Sequence, residues 1–375
     1  MARKLRVGVI FGGRSGEHEV SLASAQSVIA ALDKTKYEVI PIGITKEGRW
    51  IAYGDPLQAL KAGAFENTAH IALLGDPTQK AIIRLDFSEH SSSVKPIKLQ
   101  ELDVVFPVLH GPYGEDGTVQ GLLELAGIPY VGAGVLASAV GMDKPTMKAV
   151  FMAHGLPVVK HLVVRRKHWE RSPEAIIEQV EGEIGYPCFI KPANLGSSVG
   201  VSKARNREEL ERALRIAALY DRKMLVEVAI NAREIECSVL GNDDPIASVP
   251  GEVVPHREFY DYKAKYIPGE SDLVIPAPIP QDLARYIQEL AIKAFVAIDC
   301  AGMARVDFFL DRDTGQVYVN EINTIPGFTA TSMYPKMWEA SGISYPELLD
   351  RLIELALERF EDKSRCRTSY SPEDE

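Results

Sequence analysis

Short apolar runs alternate along the chain with amphipathic stretches, and this pattern predicts strands interleaved with helices. The apolar runs predict strands at residues 5–11, 37–44, 104–109, 128–131, 158–164, 224–230, 306–310 and 317–322. Apolar positions at helical spacing predict helices at residues 21–32, 119–126, 144–154, 173–181, 207–219, 282–298 and 347–360. Because a strand, a tight turn, a helix and a second strand follow one another over residues 5–44, we expect an α/β fold with a parallel sheet.

Several segments lack a clear period. Residues 50–100 are predicted to be loop-rich, and the residues after 362 to be a disordered tail. Residues 253–272 carry aromatic and cationic side chains without periodicity, which is typical of a lid. Ser344 and Glu347 have the spacing of a capping box at the start of the last helix. The length of 375 residues, with a boundary near residues 133–144, predicts two or three domains.

An acidic cluster lies on a predicted hairpin near the end of the chain. Side chains on a strand alternate between two faces, so Glu321 and Asn323 share one face, and Asp307 on the partner strand can lie opposite them. Two carboxylates and an amide oxygen suit Mg²⁺, and Arg305 adds one cation on the same side. A hairpin with polar edges is the alternative for each residue alone. Acidic groups, however, rarely lie inside apolar strands without a partner.

Glycine-rich turns follow two predicted strands, at residues 12–17 and 110–117. Glu17 lies near the start of a helix, where an anion is favoured, so capping alone could explain this residue. A sharp turn without a ligand and a dinucleotide-binding loop remain alternatives. Residues 132–137 match one form of the dinucleotide loop, but no acidic residue ends the following strand, which argues against that reading.

A third candidate loop carries a lysine. Lys191 ends an apolar strand and is followed by a Gly/Ser-rich loop at residues 194–200, whose N–H groups could surround phosphate oxygens. It is not a Walker A loop, because the lysine precedes the glycines. A flexible hairpin is the alternative. Glu227 lies on the next predicted strand, residues 224–230, and Glu234 follows it. That strand could present backbone groups to an adenine edge or be an exposed edge strand.

Composition narrows the class of protein. With 46% hydrophobic and 25% charged residues the chain has an ordinary globular composition, and a net charge of −10 argues against a nucleic-acid partner. The longest uncharged run, residues 125–142, holds one proline and four glycines, so a membrane span is not expected. The four cysteines show no metal or disulfide spacing, which indicates a reducing, cytoplasmic location. No signal peptide is visible.

Taken together, the motifs resemble those of the D-alanine–D-alanine ligases, a family with the ATP-grasp fold. The resemblance covers nearly the whole chain. It rests on FGGRSGEHEVS (11–21), HGPYGEDGT (110–118), MDKPTMK (142–148), FIKPANLGSSVGV (189–201), EFYDYKAKY (258–266), RVDFF (305–309) and NEINTIPGFTATSMYP (320–335). It implies a Rossmann-like domain at residues 1–135, ATP-grasp subdomains at 136–226 and 227–364, and a tail at 365–375.

The resemblance also implies roles for residues that would bind the two amino acids. Glu17 would hold the ammonium of the first D-alanine and His110 would lie beside its carboxylate. Ser332 and Met333 would receive the carboxylate of the second D-alanine.

Catalytic roles follow from the same likeness. Arg305 and the Gly327 N–H would form the oxyanion site, and Ser197 and Tyr266 would link with Glu17 in a hydrogen-bonded chain. In relatives that join a D-amino acid to a hydroxy acid, a different residue stands at the position of Tyr266. That residue therefore favours D-alanine over D-lactate as the second substrate.

The resemblance also implies a nucleotide site and a metal site. The resemblance implies ATP and two Mg²⁺ ions, which Mn²⁺ can replace, together with a homodimer. The nucleotide residues would be Lys144, Lys191, Ser198 and Lys265 at the phosphates, and Glu227, Ala229, Ile230, Glu234 and Phe259 at the adenosine. The metal ligands would be Asp307, Glu321 and Asn323. An NAD(P) oxidoreductase, the rival class, leaves that acidic trio unexplained. A nucleotide sensor without catalysis is disfavoured by the same trio and by Arg305.

Overall fold

The computed structural model describes residues 3–86, 95–256, 271–329 and 331–370. Its strands in chain order are β1 (Leu5–Gly12), β2 (Tyr37–Ile44), β3 (Trp50–Ala52), β4 (Ala69–Leu73), β5 (Ala81–Asp86), β6 (Lys95–Glu101), β7 (Val104–Val108), β8 (His161–Arg165), β9 (Cys188–Pro192), β10 (Ser202–Ala204), β11 (Lys223–Val228), β12 (Ala232–Gly241), β13 (Ile246–Ala247), β14 (Gly251–Pro255), β15 (Ser271–Val274), β16 (Gly302–Asp311) and β17 (Val317–Asn323).

The helices alternate with these strands, as predicted. They are α1 (His18–Ala31), α2 (Pro56–Ala62), α3 (Thr118–Leu125), α4 (Val135–Met142), α5 (Lys144–Ala153), α6 (Arg166–Arg171), α7 (Pro173–Glu183), α8 (Arg207–Tyr220), α9 (Gln281–Ala297), α10 (Met333–Ala340) and α11 (Tyr345–Ser364).

The first sheet has the strand order β6-β5-β4-β3-β2-β1-β7, and the three strands β2, β1 and β7 at one end of it are parallel. Val7 of β1 lies opposite Val39 of β2 and Val104 of β7. From β2 outward the strands pair antiparallel. The prediction of loops at residues 50–100 is therefore wrong. Short strands with buried positions such as Ile51 and Ile71 extend the sheet there.

The second sheet, in the order β10-β9-β11-β8, is antiparallel and carries helices α6 to α8. The apolar face of α8 is buried against it, and the Asn206 side chain accepts a hydrogen bond from the Glu209 N–H at the helix start. Arg165 ends β8, and Arg166 and Lys167 begin α6, whose Trp169 side chain is buried.

The third sheet, in the order β15-β14-β12-β16-β17 with β13 beside β12, is antiparallel. The predicted hairpin is confirmed as β16 and β17. At its turn the Asp311 side chain accepts the Asp313 N–H at 2.8 Å, and Gly315 adopts a φ of +72°. Helix α9 covers this sheet with an apolar stripe that includes Ile287, Leu290 and Ala294.

Other predictions need correction. Residues 128–131 form a single bridge, Val105 with Tyr130, and not a strand. Helix α4 was not predicted, and it begins at Val135, within residues 132–137 that match a dinucleotide loop in sequence. Ser344 precedes α11, but its side chain makes no capping hydrogen bond, so the predicted capping box is not formed. Helix α11 also continues to Ser364, past the predicted start of the tail.

The predicted lid is only partly described. Residues 253–255 and 271–272 belong to β14 and β15 and are not irregular, whereas residues 257–270 lie outside the described residues. Within the described chain, no helix is long and apolar enough to cross a membrane.

The apolar cores join elements that lie far apart in the sequence. One core joins β1, α1 and β7 with the predicted apolar face of α11, including Leu348, Leu352 and Ile353. A second core lies between α4, α5, α9 and the third sheet. A third consists of residues of the second sheet and its helices alone. The outer strands of the first sheet contribute to a fourth core.

Candidate active site

The acidic cluster on the hairpin forms from paired positions of β16 and β17. Asp307 lies opposite Glu321, and Arg305 lies opposite Asn323. The Arg305 guanidinium donates two hydrogen bonds of 2.7 Å to the Asp307 carboxylate, and its Nε lies 3.0 Å from an oxygen of Glu236. The Asn323 amide donates to Asp307 at 3.0 Å. Three carboxylates, one amide and one guanidinium therefore meet on this face of the sheet.

The donor set of this cluster fits a hard divalent cation. Among the described residues, no group of three His, Cys, Asp or Glu side chains forms a metal site by itself. Here two carboxylates, Asp307 and Glu321, stand beside an amide, Asn323, and such oxygen donors suit Mg²⁺. Arg305 now lies on the oxygens of Asp307. Its guanidinium thus balances the negative charge of Asp307, as a bound metal ion would.

Three lysines lie beside this cluster on two other elements. Lys144, at the start of α5, has its Nζ 3.4 Å from an oxygen of Glu321. Lys191 of β9 lies 2.6 Å from one oxygen of Glu227, and Lys148 of α5 lies 2.8 Å from the other. The predicted phosphate lysines are thus brought together near the acidic cluster.

Burial and charge act against each other in this ion triad. Burial alone would raise the pKa of Glu227, but Lys148 and Lys191 outweigh it and lower that pKa to about 2. Burial lowers the pKa of Lys148, which Glu227 opposes only in part. The pKa of Lys191 is raised, because neighbouring carboxylates, above all Glu227, outweigh the effect of its burial. The carboxylate is therefore ionised and shared by two cations.

The Gly/Ser loop reaches across to the first sheet. The Ser197 hydroxyl donates a hydrogen bond to the Glu17 carboxylate at the start of α1. Ser197 and Ser198 have φ values of +51° and +57°, a region that non-glycine residues rarely adopt. Glycines leave room for the carboxylate, because a Cβ on Gly196 would lie 2.9 Å from a Glu17 oxygen and one on Gly111 would lie 2.8 Å away.

His110 is buried at the end of β7. Its Nδ1 lies 3.0 Å from the Ile325 carbonyl oxygen, which can only accept, so Nδ1 carries a proton. Its Nε2 lies 3.3 Å from the Ser24 hydroxyl. Burial lowers the pKa of this imidazole. Nearby, burial and the Glu17 charge raise the pKa of Glu115 to about 8, although the Gly111 N–H donates to it at 2.8 Å.

The turn after the hairpin places Gly327 against Ser332. A Cβ on Gly327 would meet the Ser332 Oγ at 2.8 Å. The same oxygen accepts the Thr329 N–H at 3.0 Å. The Met333 side chain is buried in a cluster with Met337, so only its backbone at the start of α10 can face a substrate.

The connection between β11 and β12 holds the remaining described candidates. The Ala229 N–H donates to the Pro187 carbonyl oxygen at 3.1 Å, and Ile230 follows it. Glu234 lies on β12 opposite Val253 of β14. Three other predicted site residues lie outside the described residues: Phe259, Lys265 and Tyr266.

A cavity of about 250 Å³ opens beside His110, at the carboxyl ends of β1, β2 and β7. Arg14 and Tyr113 stand at this cavity with the guanidinium carbon 4.9 Å from the ring centroid. The carboxyl ends of parallel strands are the usual place for a ligand in such sheets.

Sequence reasoning missed three charged residues of this region: Lys148, Glu115 and Glu236. Lys148 follows Lys144 by four positions, which places both on one face of a helix, and this spacing could have revealed it. Glu115 and Glu236 are recognisable only from contacts between distant segments.

Comparisons with known proteins cover almost the whole chain. Residues 6–133 match the family model of the D-ala D-ala ligase N-terminus, and residues 150–354 match that of the D-ala D-ala ligase C-terminus. A D-alanine–D-alanine ligase of Heliobacterium modesticaldum is 54% identical over 98% of this chain and 99% of its own length. That of Thermoanaerobacter sp. is 55% identical over 96% of this chain and 99% of its own.

Solved structures agree with these matches. The D-alanine–D-alanine ligase of Coxiella burnetii has a TM-score of 0.81 at 38% identity and covers 97% of both chains. The VanG D-Ala:D-Ser ligase of Enterococcus faecalis has a TM-score of 0.82 at 37% identity, over 94% of this chain and 100% of its own. The predicted α/β fold of the ATP-grasp class is thereby confirmed. This chain belongs to the D-alanine–D-alanine ligase family.

Proposed function

We propose that this protein joins two D-alanine molecules into D-alanyl-D-alanine, a precursor of peptidoglycan, and converts ATP to ADP and phosphate. The observation that carries this proposal is the convergence of four elements on one site. Ser197 of the Gly/Ser loop reaches Glu17 at the start of α1, and Lys144 of α5 reaches Glu321 of the hairpin. The site therefore combines a carboxylate for an ammonium group, cations for phosphates and oxygen donors for a metal.

In the first step, the carboxylate of one D-alanine attacks the γ-phosphorus of ATP, and ADP leaves. The Glu17 carboxylate would hold the ammonium of that D-alanine, while the buried His110 would lie beside its carboxylate. Lys144 and Lys191 would offset the charge of the phosphates, which is the main task in phosphoryl transfer. Mg²⁺ bound by Asp307, Glu321 and Asn323 would neutralise phosphate charge, and Mn²⁺ could replace it.

In the second step, the amine of the other D-alanine attacks the acyl phosphate, a peptide bond forms and phosphate leaves. Arg305 and the Gly327 N–H would stabilise the oxyanion of the tetrahedral intermediate. The bonds from Arg305 to Asp307 and Glu236 support this role, because they hold the guanidinium in place before the reaction. Ser332 and the backbone of Met333 would receive the second carboxylate.

We also propose the nucleotide-binding residues, the domain limits and the oligomeric state that the resemblance implies. Ser198, Ala229, Ile230, Glu234, Phe259 and Lys265 would surround the nucleotide together with Glu227, and Tyr266 would extend the link between Ser197 and Glu17. The domain limits would be 1–135, 136–226, 227–364 and 365–375, with residues 253–272 as the lid. We further propose a cytoplasmic homodimer.

A second candidate function differs only in the second substrate. The similarity to a D-Ala:D-Ser ligase, with a TM-score of 0.82, makes D-serine a specific alternative to D-alanine. D-lactate, which would give an ester, is the other alternative, and Tyr266 is the residue expected to disfavour it.

An assay of ADP release tests the proposal. D-alanine, L-alanine, D-serine and D-lactate are offered separately and in pairs with Mg·ATP, and the products are identified by mass spectrometry. We expect ADP and D-alanyl-D-alanine with D-alanine alone, and none with L-alanine. A mixed product formed in preference to D-alanyl-D-alanine would replace the proposal with the corresponding D-Ala–D-X ligase. No ADP with any of them would overturn it.

A further inference from the structure

The buried carboxylate of Glu227 has more positive charge beside it than a single ion pair needs. Lys148 contacts one of its oxygens at 2.8 Å and Lys191 the other at 2.6 Å. The Lys148 side chain is 1% exposed and that of Glu227 is 3% exposed. A charge buried this deeply costs free energy unless it is paired. One lysine would pair the Glu227 carboxylate, so the presence of a second buried lysine needs an explanation.

The elements that carry these groups explain how they meet. Leu225 of β11 lies opposite Lys191 of β9, and Glu227 lies opposite Phe189, so these side chains share one face of the second sheet. From α5, the Lys148 side chain reaches Glu227 on that face. Lys144 and Lys148 are four residues apart on α5, so both point to the same side, toward Glu321 and Glu227 respectively.

The two phosphate lysines are in equivalent situations. Lys144 lies near Glu321, and Lys191 lies on Glu227. When each lysine turns to a phosphate, it leaves a carboxylate behind that needs another cation. Glu321 would receive that cation from the metal. Glu227 is too deeply buried to receive one from solvent.

We propose that Lys148 is a positioning residue for nucleotide binding, which remains with Glu227 and thereby releases Lys191 to the phosphates. This inference rests on the proposed function, because it takes Lys191 as a phosphate ligand. Lys148 itself would touch neither ATP nor D-alanine. Lys148 keeps the buried Glu227 carboxylate paired both without and with a bound nucleotide. Binding of a nucleotide therefore does not leave this carboxylate without a cation.

Removal of this charge should weaken nucleotide binding. Lys148→Met replaces the lysine by a side chain of similar length without charge. Of the two lysines that the described part of the chain places on Glu227, Lys191 alone then remains, and it is held there. We expect the Kd of Mg·ADP to rise about 10- to 100-fold, the range found when a group that orients a ligand residue is removed. Lys148→Arg keeps the charge and should recover most of the affinity.

Calorimetric titration with Mg·ADP, without any amino acid, measures this effect. Lys363→Met is the matched control, since Lys363 pairs with Glu124 at 2.5 Å on the exposed side of α11, away from the site. It should leave the Kd unchanged. In steady-state kinetics the KM for ATP should rise in Lys148→Met while the KM for D-alanine stays the same, a split that general loss of structure would not produce.

A double variant tests the cause. In Lys148→Met with Glu227→Gln the buried anion is absent, so Lys191 is no longer held and the Kd should return toward that of Glu227→Gln alone. An unchanged Kd in Lys148→Met would overturn the inference, and so would a weakened Kd that Glu227→Gln does not restore. A wild-type protein that binds Mg·ADP but makes no D-alanyl-D-alanine would overturn the proposed function instead, because this titration contains no D-alanine.

Discussion

At the scale of single residues, the site depends on glycines that allow close approach to one carboxylate. Glu17 is buried between the Gly/Ser loop and the turn after β7. Gly196 has a negative φ, so any residue could adopt its backbone conformation. A glycine matters at this position because the Glu17 carboxylate occupies the space where a Cβ would lie. A side chain there would push directly against the group that is proposed to bind the first ammonium.

Gly196→Ala should therefore impair activity without unfolding the protein. Its Cβ would lie 2.9 Å from a Glu17 oxygen, which real Cβ atoms do not tolerate, so the carboxylate must shift. We expect kcat/KM for D-alanine to fall about 10- to 100-fold, as displacements near 1 Å do in positioned sites. The measurement is ADP release as D-alanine is varied.

Gly121→Ala provides the matched control. Gly121 lies inside α3, and a Cβ there meets no described atom within 4 Å. Activity should stay at the wild-type level, while the free energy of unfolding rises by up to about 1 kcal/mol because alanine favours the helix. Equal activity in both variants would show that Glu17 has room to move.

The residue scale also shows the limit of sequence reasoning. The strand alternation that predicted Asp307, Glu321 and Asn323 on one side of a hairpin is a local rule, and the observed register agrees with it. The contact of Lys148 with Glu227 joins a helix to a strand that follows much later in the chain. No local pattern contains such a pair, so it became visible only in the fold.

At the scale of elements, helix α11 is fixed at both ends to the first sheet. Near its start, Asp350 accepts a hydrogen bond of 2.8 Å from the Tyr37 hydroxyl. Near its end, the Arg359 guanidinium donates to the carbonyl oxygens of Tyr130 and Gly132 and lies over the Tyr130 ring at 4.4 Å. These polar contacts flank the apolar face that completes the core of the first sheet.

Arg359→Met should destabilise the protein. The substitution removes hydrogen bonds from a charged group to two carbonyl oxygens, and such bonds contribute about 1.5–3 kcal/mol each, less where solvent competes. We expect the free energy of unfolding, measured by urea denaturation, to fall by about 1–3 kcal/mol.

Arg351→Met on the same helix is the comparison. In the described part of the chain, Arg351 forms an exposed pair with Glu347, four positions earlier, and such a pair contributes about 0.3–0.5 kcal/mol. Similar losses in both variants would contradict the view that Arg359 fastens the helix to the sheet.

Elements differed in how well the sequence predicted them. The long amphipathic helices α8, α9 and α11 were recognised because their periods extend over many residues, and β1, β2 and β7 because their apolar runs are continuous. Strand β12 in the middle of the third sheet was missed, because Arg233, Glu234 and Glu236 interrupt its apolar positions. Helix α4 was missed, since its eight residues include a glycine and are apolar on nearly every side. The strands β3 to β6 were missed because polar and charged residues break up their apolar runs, as in Lys95–Glu101, and polar turns join them.

At the scale of the whole molecule, the second sheet and its helices stand apart. Among the residues that the structure describes, their core contains none from the first or third sheet. The contacts that join them to the rest include polar ones near the site: Lys223 with Asp143, the Lys144 N–H with the Ala193 carbonyl at 3.2 Å, and Ser197 with Glu17. Polar contacts of this kind open at lower cost than a shared apolar core.

Binding of Mg·ADP should therefore protect this junction selectively. In hydrogen-exchange mass spectrometry, amides of residues 193–201 should exchange up to about 100-fold more slowly at a ligand concentration near 100 Kd. Helix α1, whose apolar side is buried in the core shared with α11, should change little. Equal slowing in both segments would mean that the molecule responds as a single unit.

The core shared by β1, α1, β7 and α11 has a consequence for synthesis of the chain. A ribosome adds about 5–20 residues per second, so α11 emerges tens of seconds after the first strand. Until then, apolar side chains such as Leu22 and Val28 lack the helix that covers them in the finished protein. The apolar surface of the first sheet thus stays exposed until α11 has been synthesised. During that time the growing chain can bind chaperones and can aggregate.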